Sequence, residues 1–370
     1  MRPQRLPIAC VFAVCLTTAV LASLQHEPIS EVRALWVTRN ALTSPAAVAR
    51  MVSAAERGGF NTLVTQVRGR GDAYYHSSFE PRASTLAAQT GFDPLAETLR
   101  HAHRAGLKVH AWVAVNLVSS AVDLPISRQH VIYRQPDWLM VPRALAAQLR
   151  NLDPRSPEYL GRLARWTRAR PDEVEGLYMS PIHAWAARHI TEVITELVTN
   201  YDVDGVHLDY VRFPNEDFDY SRAALQQFKL AIRPQLADPD RRRADSQERV
   251  DPFAYPDLFP ERWLAFRQSR LTTLLARIRL AIKAARPDAV ISAAVVPDVT
   301  HAATSRSQDW RSWLELSLID VVCPMAYTQD VAIFERHINE ARSLAGKQAV
   351  WAGIGAYQLT TAATLQHIEA

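Results

Sequence analysis

The run Asp204-Gly205-Val206-His207-Leu208-Asp209-Tyr210 sets two ionisable side chains two residues apart in an otherwise apolar segment. In an extended strand, period-two alternation puts His207 and Asp209 on one face and Val206, Leu208 and Tyr210 on the other. Burying such a pair is costly unless it has a partner or a task. Asp209 is therefore the first candidate for catalysis, against the plainer reading of a satisfied His–Asp bond in the core. Similar polar endings close other apolar runs: Gln66, Arg68 and then Asp72; His110, Trp112 and Asn116; Asp298; and Tyr327 followed by Asp330. Carboxylates, an arginine, amides and aromatic faces together suit a carbohydrate, whose hydroxyls need donors and acceptors and whose C–H faces stack on rings. Glycosidic bond cleavage needs two carboxyl groups, one protonated and one ionised. Asp209 supplies one, and Asp298 is the leading partner, with Asp72, Glu216 and Asp330 left open. Gln66, Arg68, Asp72, His110, Asn116, His207 and Tyr327 are expected to bind sugar, with Trp112 stacking on a ring.

Two other chemistries compete. His207, Asp209 and His110 could hold zinc, which would make the chain a metal-dependent carbohydrate hydrolase or deacetylase. However, no His-Glu-x-x-His occurs. A serine hydrolase is weaker still, because Gly-x-Ser-x-Gly is absent. No metal and no cofactor is expected. A non-catalytic glycan-binding protein remains the alternative from a different class.

These residues need elements to position them. Seven short apolar, β-branched runs recur: 33–38, 61–67, 108–115, 205–213, 289–296, 319–325 and 348–355. They are too continuously apolar for a half-solvated sheet and fit buried parallel strands. Ser44-Pro45, Asp93-Pro94 and Ser180-Pro181 each read as an N-cap before proline at the first helical turn. Gly58-Gly59 and Gly106 read as helix stops. The helix expected from Pro181 carries Ile182, Trp185, Ile190, Val193, Ile194, Leu197 and Val198 on one stripe. Successive strands start 28, 47, 97, 84, 30 and 29 residues apart. The pattern is α/β, a (β/α)8 TIM barrel with insertions after strands 3 and 4 and with the eighth strand missing. Residues 119–180 are expected to form a lid over one rim. Residues 214–262 are rich in Asp, Pro and Arg, and the Arg241-Arg242-Arg243 run within them reads as a solvated loop. No Gly-rich phosphate loop follows the first strand, which disfavours a dinucleotide fold.

Of 370 residues, 48% are hydrophobic and 22% charged, an ordinary globular balance. Residues 1–22 read as a signal peptide: Arg2 and Arg5 precede an apolar stretch, and Val20-Leu21-Ala22 offers a cleavage site. The net charge of +4 then falls to +2, because those two arginines are lost, so nucleic acid is not an expected partner. Residues 31–370 form the expected barrel domain. Two of the three cysteines, Cys10 and Cys15, lie in the leader. Only Cys323 remains, and no intrachain disulfide can form. Membrane attachment is expected only through an uncleaved or lipidated leader. The expected location is exported, either periplasmic or secreted, at the cell envelope.

Together several segments resemble the glycosyl-hydrolase-like family 10 group of bacterial proteins. They are Arg33-Ala34-Leu35-Trp36-Val37, Gly59-Phe60-Asn61-Thr62, Gln66-Val67-Arg68-x-x-Gly71-Asp72-Ala73-Tyr74-Tyr75 and Tyr201-x-Val203-Asp204-Gly205-Val206-His207-Leu208-Asp209-Tyr210. Pro136-Asp137-Trp138-Leu139 and Gly353-Ile354-Gly355-Ala356-Tyr357 continue the likeness, in order, across residues 31–357. The resemblance implies a TIM-barrel glycosidase, export to the envelope and action on a polysaccharide, with peptidoglycan glycan strands as the substrate class it suggests first. The fourth strand is also similar to that of family 18 chitinases. There, however, an aspartate stands where His207 is and the catalytic glutamate where Val211 is, so that mechanism does not carry over.

Overall fold

In the computed structural model, which describes residues 31–370, the apolar runs become seven strands. They are β1 (Ala34–Val37), β2 (Thr62–Arg68), β3 (Lys108–Ala114), β4 (Gly205–Asp209), β5 (Val290–Val295), β6 (Val321–Pro324) and β7 (Ala349–Val350). All pairings are parallel and follow sequence order from β1 to β7. The result is a curled, open (β/α) barrel. Among the described residues there is no eighth strand, as the sequence pattern implies. The signal peptide expected over residues 1–22 lies outside the described residues.

Register sorts the inward side chains into levels. Trp36, Val64, His110 and Gly205 are linked as successive partners at one level. Gln66, Trp112, His207 and Ser292 form the level above it. Asp209 is higher again, opposite Ala114 at the C-terminal tip of β3. Gly205 is required where it stands, because a Cβ there would lie 2.5 Å from the His110 ring and 2.6 Å from the Val290 carbonyl.

Helices cover the sheet through single apolar stripes. Helix Pro45–Arg57 buries Val48, Val52 and Ala55, and helix Pro260–Ala285 buries Leu271, Leu274, Leu275, Ile278 and Ile282. Each large aliphatic side chain so buried contributes about 1.5–3 kcal/mol. Ser44 and Asp93 cap their helices as expected, accepting from the Ala47 and Ala96 N–H groups. Ser180 does not cap the next one. That helix runs Ala184–Asn200, while the Ser180 hydroxyl accepts from the Ile182 N–H. The chain is still tied down just before it, since the Ser180 N–H donates to the Trp138 carbonyl at 2.8 Å. Trp185, expected on the buried stripe, lies off it and is 60% exposed.

The insertion at 119–180 holds the helices Val131–Arg134, Arg143–Leu149 and Pro157–Arg168; a Leu117–Tyr178 bridge ties it to the chain leaving β3, and a Leu139–Met179 bridge closes it on itself. Residues 238–248, expected in a loop, are helical instead. Asp238 and Asp240 favour the N-terminus, and only Ala244 is buried, so the Arg241–Arg243 run is a largely solvated helix surface. Among the described residues, no helix is long and apolar enough to cross a membrane.

Candidate active site

The tip of β4 carries a closely held carboxyl group. Asp209 is 6% exposed. Its Oδ1 accepts from the Tyr210 N–H at 2.7 Å, and its Oδ2 accepts from the Trp112 indole Nε1–H at 3.0 Å. Tyr210 makes the first bond by entering the left-handed region, φ 54°. A non-glycine residue there costs about 1–3 kcal/mol and persists only when its surroundings enforce it. Here the neighbouring strand tip does so: the Val115 N–H donates to the Asp209 carbonyl at 2.7 Å, and the Asn116 N–H to the Tyr210 carbonyl at 3.3 Å. Burial raises the Asp209 pKa above the usual carboxylate range. The Arg212 charge and the two hydrogen bonds oppose that rise without cancelling it.

A second carboxyl group shares Arg212. Glu175, from the insertion, accepts from Arg212 Nη2 at 2.7 Å on one oxygen and from the Tyr178 hydroxyl at 2.7 Å on the other. Burial opposes its ionisation, but Arg212 and Tyr178 overcome that and hold its pKa below the usual range. Arg212 also lies over the Tyr210 ring, 4.9 Å from its centroid. Sequence reasoning missed Glu175 because it lies in the insertion, far along the chain from the strands on either side. The available signal is Gly176 just after it, where a Cβ would collide with the Ser119 carbonyl. A glycine heading the run Leu177-Tyr178-Met179 marks a close backbone approach to the barrel.

The other expected site residues divide. Trp112 touches Asp209, as described. Tyr327, three residues past β6, is partly exposed and edge-on to Tyr357 at 6.0 Å; desolvation of its hydroxyl and then the Asp209 charge raise its pKa. Gln66 is half-buried and accepts from the Arg39 N–H, and half-buried Asp72 accepts from the Arg70 N–H. His207 lies beneath the site, fully buried. Its Nε2 must accept from the donor-only Trp36 indole at 3.2 Å, which leaves Nδ1–H to donate to Ser292 Oγ at 2.9 Å. Burial lowers its pKa to about 3, so the ring is neutral.

His207 is therefore not a sugar-binding residue, and four further expectations need correction. Arg68 does not reach the mouth: its guanidinium is enclosed, bonded to Glu80 at 3.0 and 2.7 Å and to the Ala114 carbonyl, after a register shift in β2 between Gln66 and Arg68. Asn116 is buried, and its amide donates to the Met179 carbonyl, fastening the insertion. His110 sits low in β3, four residues or about 13 Å below Ala114. It lines a cavity of about 630 Å³ with Lys108, Asp204, Val290 and Trp351 at the opposite end of the barrel. Asp298 is exposed and caps helix Val299–Ser305, accepting from the His301 N–H at 2.7 Å. The open alternatives fare alike: Asp330 caps helix Val331–Ala345, and Glu216 is an exposed loop residue.

Among the described residues, no three His, Cys, Asp or Glu side chains come together as a metal site. Both His207 nitrogens are committed to protein partners, and His110 lies a level lower.

The comparisons with known proteins agree with this architecture. The chain is 23% identical over 301 residues to "Glycosyl hydrolase YngK" of Bacillus subtilis (strain 168), covering 75% of this chain and 48% of the relative. It is 25% identical over 337 residues to "Glycosyl hydrolase DigH" of Escherichia coli (strain K12), covering 84% and 64%. The chain thus spans about half to two thirds of the length of these curated relatives. Among solved structures, the PgaB (BpsB) glycoside hydrolase domain from Bordetella bronchiseptica superposes with a TM-score of 0.53 at 15% identity, over 86% of this chain and 93% of that one. The catalytic domain of β-amylase from Paenibacillus polymyxa gives 0.57 at 11%, over 91% and 88%. Both likenesses concern the barrel fold. The model of the glycosyl hydrolase-like 10 family matches residues 31–366, and the chain belongs to that family.

Proposed function

We propose that this chain is a glycoside hydrolase acting on a bacterial cell-envelope polysaccharide, with peptidoglycan glycan strands as the leading candidate. Asp209 would donate a proton to the glycosidic oxygen, and Glu175 would carry the negative charge that faces the developing oxocarbenium ion. The observation that carries the reading is the opposite displacement of two carboxyl groups that share Arg212. Asp209 is pushed toward its neutral form and Glu175 toward its ionised form. Environments that drive two acids apart assign acid and base roles. Trp112 fixes the Asp209 carboxyl, and Tyr327, exposed and close enough to feel its charge, supplies a ring and hydroxyl for sugar. Export to the envelope is part of the proposal and rests on the leader read over residues 1–22.

The test is mass-spectrometric detection of saccharides released from peptide-stripped peptidoglycan, intact sacculi and chitin. Release by the wild-type chain, reduced at least about 10²-fold in both Asp209→Asn and Glu175→Gln, is the expected result. A folded chain that binds glycan and releases nothing would instead be a non-catalytic glycan-binding barrel.

A further inference from the structure

The surroundings of Asp209 hold more guanidinium groups than nearby carboxylates pair. Arg212 bonds to Glu175 through Nη2, while its Nε is enclosed with no partner, and the whole residue is 8% exposed. Arg306 brings a second guanidinium close enough to Arg212 and Glu175 to feel both charges. The chain holds it there through the Phe213 N–H, which donates to the Arg306 carbonyl at 3.0 Å. Its Nε and Nη1 are both enclosed and unbonded. Burial, and then the Arg212 charge, depress its pKa, so the two cations feel each other. Glu175 is the carboxylate that Arg212 bonds and its charge also reaches Arg306, but its oxygens are already committed to Arg212 and Tyr178.

The far side of Tyr210 repeats the imbalance. Arg39 lies over Gly69, where any Cβ would strike its guanidinium, and Arg70 is the next residue. Among the described residues neither side chain makes an ion pair within bonding distance, and Arg39 lowers the Arg70 pKa after burial does. Leaving enclosed guanidinium atoms unpaired is expensive. A mouth built this way gains most from a ligand that brings its own negative charge.

We propose that Arg212 and Arg306 form a carboxylate subsite beside Asp209, so that the enzyme takes acidic saccharides in preference to neutral ones. The proposal rests on the glycosidase reading of the same site. A carboxylate fits because a guanidinium presents parallel N–H donors that match its two oxygens, and such charge-assisted forks are strong and geometrically selective. The carboxylate can be attached to the sugar through an ether or can be part of the ring, as in a uronic acid.

The experiment titrates the full chain carrying Asp209→Asn, which halts turnover, and reads binding by calorimetry. The probes are peptide-stripped peptidoglycan oligosaccharides with an ether-linked carboxylate, oligogalacturonate with a ring carboxylate, the methylamide of each, and neutral chitin oligosaccharides. At least one acid should bind about tenfold or more tighter than its own amide, and which acid does so identifies the source. Arg306→Met should bring that ratio close to one with little change for the amide, and Arg306→Lys should retain part of it. Equal binding of acid and amide, or a preference that survives Arg306→Met, overturns the subsite while leaving the glycosidase reading intact. Failure to bind any saccharide overturns both. The acid–amide contrast in the Asp209→Asn chain does not depend on whether the Arg306→Met protein folds.

Discussion

Replacing Arg68 by methionine should destabilise the fold rather than weaken substrate binding. The Arg68 and Glu80 side chains are 0% and 1% exposed and 2.7 Å apart. Removing one partner of such a pair leaves a buried charge and typically costs about 3–5 kcal/mol. The Glu80 carboxyl gives an independent figure. Burial opposes its ionisation, yet Arg68, and then His189 at 3.0 Å, bring it from 4.5 to about 2. That depression corresponds to roughly 3 kcal/mol of stability. Because the folded pKa is lowered, this stability is fully present above about pH 4.5 and drains away as the pH falls toward 2. In Arg68→Met the sign reverses. Burial without the cation favours protonated Glu80, so the deficit is largest at neutral pH and shrinks as the medium is acidified. Calorimetry at pH 7 should show a Tm lower by roughly 5 °C or more, and at pH 4 a smaller difference. Arg68→Met combined with Glu80→Leu should recover part of the loss, since an apolar pair can replace a buried ion pair. A single mutant within about 1 °C of wild type at pH 7 would refute the reasoning and free Arg68 for a role at the mouth.

Three other outcomes follow from the geometry. The activity profile should fall on the alkaline side as Asp209, raised by burial, loses its proton, and on the acid side as Glu175, held low by Arg212, gains one; Glu175→Gln should remove the acid limb, as rate measurements across pH would reveal. Asp298→Ala should cost about 1 kcal/mol in denaturant melts, through loss of the cap on Val299–Ser305, with activity within a few fold of wild type; a hundredfold loss in a folded protein would return Asp298 to the chemistry. Gly205→Ala should destabilise by about 1–3 kcal/mol, since its Cβ meets the His110 ring at 2.5 Å, and a neutral effect in the same melts would show that the ring moves freely.

The barrel was legible because parallel strands are buried on both faces and so appear as largely apolar runs, such as Leu63-Val64 and Ala293–Val295. Asp209 was legible for the opposite reason: it is a charge where none belongs. Position along a strand was harder to judge. His110 and Trp112 read alike as inward polar or aromatic residues, yet one step of two separates the cavity at the bottom of the barrel from the carboxyl at the top. Cap and catalyst are also indistinguishable by residue type. Asp298 follows a strand and precedes a helix, which suits both roles, and only its bond to the His301 N–H decides. Glu175 depended on how the 119–180 insertion folds back, a long-range contact that no local spacing encodes. Arg68 looked like a binding residue because its ionic partner, Glu80, lies in a loop with no strand signal of its own.

The left-handed backbone at Tyr210 has a consequence for engineering. Glycine at that position would relieve the local backbone strain, and that relief would come with loss of the ring that lies beneath Arg212 and edges Tyr178 at 6.1 Å. The mouth is therefore a place where thermal robustness and chemical competence select for different residues. A library ranked by heat resistance alone would drift toward chains that survive well and do nothing. Pairing that screen with turnover is the way to keep both.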